Sequence, residues 1–194
     1  ERLLREGIAV NGKEYLIPVL DSGKTHPVAD LLIVAVKHYH LDQAIAEMKN
    51  SIGDGTIIMS LMNGIDSEER IGAVYGEEKL LHAVVVGIDA LRRGNRVAYT
   101  TQGKIFFGEK GAKESSDRVQ RVQDLFDRAG INYMVPTDIM RDIWWKFMIN
   151  VGINQASAVT GANYGIFQQA GPERELMDAA MREVIALARK LGIG

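Results

Sequence analysis

Leu31-Leu32-Ile33-Val34-Ala35-Val36 is a continuous apolar run that ends on Lys37. A strand with one face in water alternates apolar and polar residues, so an uninterrupted run predicts a strand covered on both faces, the condition of a parallel sheet flanked by helices. Residues 41–50 then carry Ala44, Ile45 and Met48 at helical spacing, and Gly53-Asp54-Gly55 reads as a turn. Thr56-Ile57-Ile58-Met59-Ser60-Leu61 predicts a second strand ending at Asn63-Gly64, followed by a helix over 68–75. Strand, helix, strand, helix is the alternation of βαβ units.

The pattern changes from His82 onward. Ala83-Val84-Val85-Val86, Arg96-Val97-Ala98-Tyr99-Thr100 and Lys104-Ile105-Phe106-Phe107 predict strands, with Arg93-Gly94-Asn95 and Gln102-Gly103 as turns. No helix fits between them, so this part is expected to be antiparallel. Residues 116–129 predict a helix with Val119, Val122, Leu125 and Phe126 inward and Gly130 as its C-cap, and 131–135 a last strand. Beyond Pro136 the chain reads as helix alone: one long helix over 138–159, then another opened by Pro172 and running to about Leu191. The domain boundary is therefore placed near residue 136.

The bulk properties narrow the classes. The chain has 194 residues, 46% of them hydrophobic, enough for a substantial core. A formal net charge of -2 gives no electrostatic reason to expect nucleic acid or an anionic membrane as partner. No cysteine is present, which removes disulfides, thiolate metal sites and cysteine nucleophiles. The longest apolar run falls far short of a membrane span, and no signal segment opens the chain, so a cytoplasmic location is expected. The chain opens at Glu1 without an initiator methionine, in what reads as the polar end of a helix, and stops at Gly194 just after another. It is expected to be cut from something longer.

The long helix carries the chemistry. In the segment from Ile143 to Ser157 nearly every residue is apolar except a few. At 100° per residue Lys146, Asn150, Asn154, Ser157 and Gly161 fall within an arc of roughly 80°, a single polar stripe on an otherwise buried helix. A lysine ammonium is costly to bury, so its place beside Trp144 and Trp145 implies a wet cleft or a function that uses it. Desolvation there lowers its pKa toward the range of a general acid, and asparagines one and two turns on offer donors and acceptors without adding charge. The structural alternative is a lysine that snorkels to solvent and asparagines that settle helix contacts. Spacing by itself does not decide between them.

Order along the chain adds the missing context. Val36-Lys37 at one strand end, Asn63-Gly64 at the next, and Trp145-Lys146 followed by Asn150 and Asn154 resemble the ketopantoate (2-dehydropantoate) reductase family. The resemblance covers essentially the whole chain. It implies an α/β fold: an incomplete Rossmann-type NADP-binding domain over residues 1–136, lacking its first strand and glycine-rich loop, then the start of an all-helical substrate-binding and dimerisation domain over 137–194. It implies NADPH as cofactor, a small-molecule 2-keto acid as substrate, and reduction of the ketopantoate ketone on the route to pantothenate and coenzyme A. A homodimer follows by the same analogy.

The implied roles fall on particular positions. Lys146 matches the catalytic lysine that protonates the carbonyl oxygen, and Asn150 and Asn154 match substrate-binding asparagines. Asn63 matches the residue contacting both nicotinamide and substrate, and Lys37 a cofactor-contacting lysine. Ala90 falls where a backbone contact to the cofactor is usual, although its local sequence departs from the pattern. Asn163 matches a further substrate contact in a loop of variable length. No Gly-x-Gly-x-x-Gly phosphate loop matches, since Gly7 follows a charged helix end and Gly12 lies in an Asn-Gly turn. The family's cofactor-selecting arginine is not assigned to Arg2 or Arg5, and its further serine and glutamate are expected beyond Gly194.

Rivals remain a β-hydroxyacid or opine-type dehydrogenase on the same architecture, and a non-catalytic relative that binds a nucleotide or a protein. His26, His38 and His40 sit in or beside loops and read as solvated histidines, His82 precedes a strand, and no metal site is expected. Asp138, Arg141 and Asp142 read as cap and dipole partners at a helix start.

Overall fold

The computed structural model describes residues 5–111 and 114–194. Of the expected polar helix end, residues 1–4 lie outside the described residues, while 5–6 are helical. The strands are β1 (Ile8–Val10), β2 (Lys13–Tyr15), β3 (Leu31–Val34), β4 (Ile57–Ser60), β5 (Leu80–Ile88), β6 (Leu91–Arg93), β7 (Arg96–Ala98), β8 (Gln102–Gly108) and β9 (Tyr133–Met134). The helices are α1 (Leu41–Glu47), α2 (Ser67–Tyr75), α3 (Asp117–Ala129), α4 (Ile139–Ile149), α5 (Gln155–Thr160) and α6 (Pro172–Lys190).

The main sheet has the order β3-β4-β5-β8-β9. β3, β4 and β5 run parallel, with Leu31 opposite Ile57 and Ile58 opposite Leu80, while β5 and β8 are antiparallel, as the loss of intervening helices predicts. Alternation along β4 sorts the core into two layers. Ile58 packs with Val34, Leu41, Ile45 and Ile71 beneath α1 and α2. Ile57 and Met59 point the other way, onto Leu81, Phe107, Val119, Val122 and Phe126 under α3. The result is a Rossmann-like α/β sheet with helices on both faces, followed by an all-helical region.

Several expectations need correcting. The run over 31–36 is strand only to Val34, and β3 is the edge of the sheet, which leaves Ile33 43% exposed instead of buried on both faces. Leu125 is exposed, because the inward arc of α3 closes on Val119, Val122 and Phe126. His82 lies within β5 and is buried there instead of preceding the strand, which begins at Leu80, earlier than its β-branched run. The last strand shrinks from 131–135 to β9. A second sheet, β2-β1-β7-β6, joins the first residues to the β6–β7 hairpin, a pairing that no local pattern announces. Its β1–β2 turn is the expected Asn-Gly turn, with Asn11 and Gly12 both at positive φ, 48° and 83°.

The helix starts follow local chemistry. Ser116 caps α3 by accepting from the Val119 amide, and Gly130 closes it in the left-handed region. Asp138 caps α4, its carboxylate accepting from Met140 and Arg141. α4 and α6 then close on Val84 through Ile139, Ile143, Trp144 and Val184, which fixes the helical region against the sheet. No helix among the described residues is long and apolar enough to cross a membrane.

Candidate active site

The expected single helix over 138–159 is interrupted. Residues Asn150–Asn154 form a π turn between α4 and α5. One extra residue per turn widens the helix and rotates the residues beyond it, a device common at functional sites. Gly152, buried in the middle of the turn, faces α6: a Cβ there would lie 2.5 Å from Cγ of Met181. The stripe survives the interruption. Nδ2 of Asn154 donates to Oδ1 of Asn150 at 3.2 Å, so the two amides form one polar unit.

A cleft of about 430 Å³ opens on this unit, lined by Asn63, Gly64, Phe147, Asn150, Asn154 and Gln155, among others. Asn63 arrives from the loop after β4, at the carboxyl end of the parallel strands, where Rossmann-like sheets bind ligands. Gly64 adopts φ +109°, a conformation L side chains rarely take, and so permits the sharp exit of the loop beside Asn63. Residues far apart in the chain, one from the sheet and two from the helices, thus face a common space.

Lys146 lies one turn before Asn150, half-buried at the end of α4, and is not among the residues that line the cleft. Burial pushes its ammonium below the ordinary lysine value of 10.5. Lys37 stands exposed at the carboxyl end of β3, on the sheet edge that also carries Asn63. Ala90 sits in the exposed connection from β5 to β6, and Asn163 in the loop after α5; neither lines the cleft. Ser157 is half-buried and Gly161 serves as the left-handed C-cap of α5.

Sequence reading misses Tyr164. Its hydroxyl donates to Oδ1 of Asn154 at 2.5 Å, orienting that amide from the opposite side to Asn150. The only hint is its place beside Asn163. A second unexpected group flanks the Asn63 loop: Nε2 of His38 lies 2.9 Å from Oδ2 of Asp66, and Arg70 pairs with Asp42. The hydrogen bond to His38 holds the Asp66 carboxyl below the usual carboxylate range. His38 and Asp66 thereby tie the Lys37 segment to the Asn63 segment.

Comparison with known proteins bears on the family and the fold. The family model for "Ketopantoate reductase PanE/ApbA" matches residues 1–111, and that for its C-terminal part matches residues 138–194. The 2-dehydropantoate 2-reductase of Aquifex aeolicus (strain VF5) is 25% identical over 181 residues, 91% of this chain and 58% of its own length. The fold is shared with a D-mandelate dehydrogenase solved with NADH and anilino(oxo)acetate, at TM-score 0.86 and 19% identity over 99% of this chain and 63% of that one. It is shared also with a dimeric ketopantoate reductase from Staphylococcus aureus, at TM-score 0.77 and 21% identity over 95% of this chain and 61% of that one. The chain thus spans less than two thirds of the length of each of these relatives. With two family models matched in order along a Rossmann-like sheet and a helical region, this chain belongs to the ketopantoate reductase family.

Proposed function

We propose that the chain carries the proton-donating and substrate-orienting part of an NADPH-dependent reductase that converts ketopantoate to pantoate. The observation that carries the reading is the meeting of Asn63, Asn150 and Asn154 on one cleft, with a half-buried lysine one turn away. Residues 1–136 serve as the cofactor-binding part and 137–194 as the start of the substrate-binding and dimerisation part. We place the enzyme in the cytoplasm as a homodimer, by analogy with the dimeric relative.

The cofactor fits what the described residues offer. Lys37 and Asn63 both leave the carboxyl ends of parallel strands and both are exposed. A cation there suits a phosphate, and a neutral amide suits the nicotinamide end. The Ala90 backbone is a further cofactor contact. When bound, NADPH supplies the hydride to the ketone carbon.

The chain's own residues do the rest. Lys146 holds a proton at Nζ; as negative charge develops on the ketone oxygen it stabilises that charge and then transfers the proton. Its depressed pKa eases the transfer. Asn150 and Asn154, hydrogen-bonded to each other, present their remaining donors and acceptors to the substrate hydroxyl and carboxylate, with Asn163 nearby in the chain as an additional contact. Asn63 sets the distance between nicotinamide and ketone.

The test is NADPH oxidation by the purified protein that carries this chain, with ketopantoate and with a panel of other 2-keto acids. Ketopantoate is expected to be the fastest substrate. Faster turnover of another keto acid reassigns the substrate, and no turnover with any of them rejects reductase activity for this chain.

A further inference from the structure

The loop of residues 61–66, which carries Asn63, runs from the end of β4 into the start of α2. Its two ends are joined by a buried polar chain that the proposed reaction does not use. Ser60 is 0% exposed, Ser67 3% and Glu68 7%. Oγ of Ser60 lies 2.8 Å from Oγ of Ser67, and the Ser67 hydroxyl donates to Oε2 of Glu68 at 2.7 Å.

Hydrogen count fixes the direction of this chain. A serine hydroxyl has one proton to give. Ser67 gives its proton to Glu68, so Ser60 must give its own to Ser67. The Ser60 oxygen is then left to accept, and the Met62 amide points at it, at a long 3.4 Å. The order Met62 N–H, Ser60, Ser67, Glu68 follows from the bond that Ser67 donates to Glu68.

Helix capping does not account for it. The N-cap of α2 is Asp66, whose side chain makes no cap bond, and Ser67 is already the first helical residue. Burial pushes the Glu68 carboxyl above its ordinary range, and the Ser67 hydroxyl is the side-chain donor that meets it there. Among the described residues no buried side-chain polar atom lacks a partner, so the chain is complete as it stands.

We infer that Glu68 and Ser67 are positioning residues: acting through Ser60, they clip the ends of the 61–66 loop together and hold Asn63 at the cleft it shares with Asn150 and Asn154. The inference rests on the proposed role of Asn63. A buried polar chain that joins its two ends gives the loop one geometry, where a solvated loop would sample several. Satisfied buried networks of this kind are rigid, and misplacing a positioning group by about 1 Å costs up to about a hundredfold in rate.

The experiment uses the full chain and its Ser67→Ala, Ser67→Thr, Glu68→Gln and Asn63→Ala variants. Two-dimensional amide spectra report the loop directly. Ser67→Ala and Glu68→Gln are expected to shift or broaden the resonances of Met62, Asn63 and Gly64, and Ser67→Thr, which keeps the hydroxyl, to restore them. With NADPH and ketopantoate, Ser67→Ala is expected to lower kcat by roughly tenfold or more. In an Asn63→Ala background the same substitution is expected to add less than about twofold, because its effect runs through that side chain. Unshifted loop resonances overturn the inference, and so do effects of Ser67→Ala and Asn63→Ala that multiply independently. If the parent chain shows no turnover, the proposed reductase reading fails on its own, and the spectra still decide whether the clip positions the loop.

Discussion

Lys146 titrates in a way that its surroundings dictate. Burial lowers its pKa, so over the window between that folded value and the ordinary 10.5 the native state binds fewer protons than the unfolded chain. Stability therefore rises with pH across this window, and Lys146→Met is expected to flatten that slope in urea midpoints measured at several pH values. Activity runs the opposite way. A reaction that needs the ammonium declines as pH rises through the folded pKa, and Lys146→Ala is expected to lower turnover by about 10²–10⁴-fold with the fold retained, read by steady-state NADPH oxidation and circular dichroism. Tyr164 acts more modestly. Tyr164→Phe removes the bond that orients Asn154, and a rise in KM for the keto acid, with kcat changed less, is expected; an unchanged KM would detach Tyr164 from the site.

Among the elements, the π turn decides the register of the polar stripe. Lys146 and Asn150 are related by ordinary helical spacing, but Asn154 follows across residues 150–154, where 100° per residue no longer applies. The amides still meet, at 3.2 Å, since the wider turn leaves neighbours four apart on adjoining faces. Gly152 makes room for this turn against Met181. Gly152→Val is expected to destabilise the protein by about 1–3 kcal/mol through overpacking, measured as a fall in the urea midpoint. The flexible Met181 side chain can give way in part, so Gly152→Val with Met181→Ala should recover some of the loss. No sequence signal announces a π turn: Asn-Val-Gly-Ile-Asn suits an α-helix as well.

For the molecule as a whole, the joint between the sheet and its covering helix rests on aromatic packing. Phe107 of β8, Phe126 of α3 and Tyr133 of β9 have ring centroids 5.5, 5.7 and 5.9 Å apart in pairs, and Phe107 is fully buried. Phe107→Ala is expected to lose about 3–5 kcal/mol in equilibrium unfolding, enough to threaten the whole domain. A loss below about 1 kcal/mol would show that the layer is not cooperative with the rest. Local pattern determined a good part of this architecture. The alternation of strands and helices over 31–75, the antiparallel turn of the chain after it, the caps at Gly130 and Asp138, and the all-helical end were legible because each depends on side-chain period or on hydrogen bonds within a few residues. The polar stripe was legible for the same reason. Only the tertiary structure decided that β3 is an edge with Ile33 exposed, that β1 pairs with β7, that His82 is buried, and that Lys146 stands beside the cleft and not on its lining. Those outcomes depend on which distant segment lies alongside, and no local period encodes a neighbour that is tens of residues away. Asn63 reached Asn150 in the same way: their types were readable, but their meeting required the loop after β4 to fold against the helices.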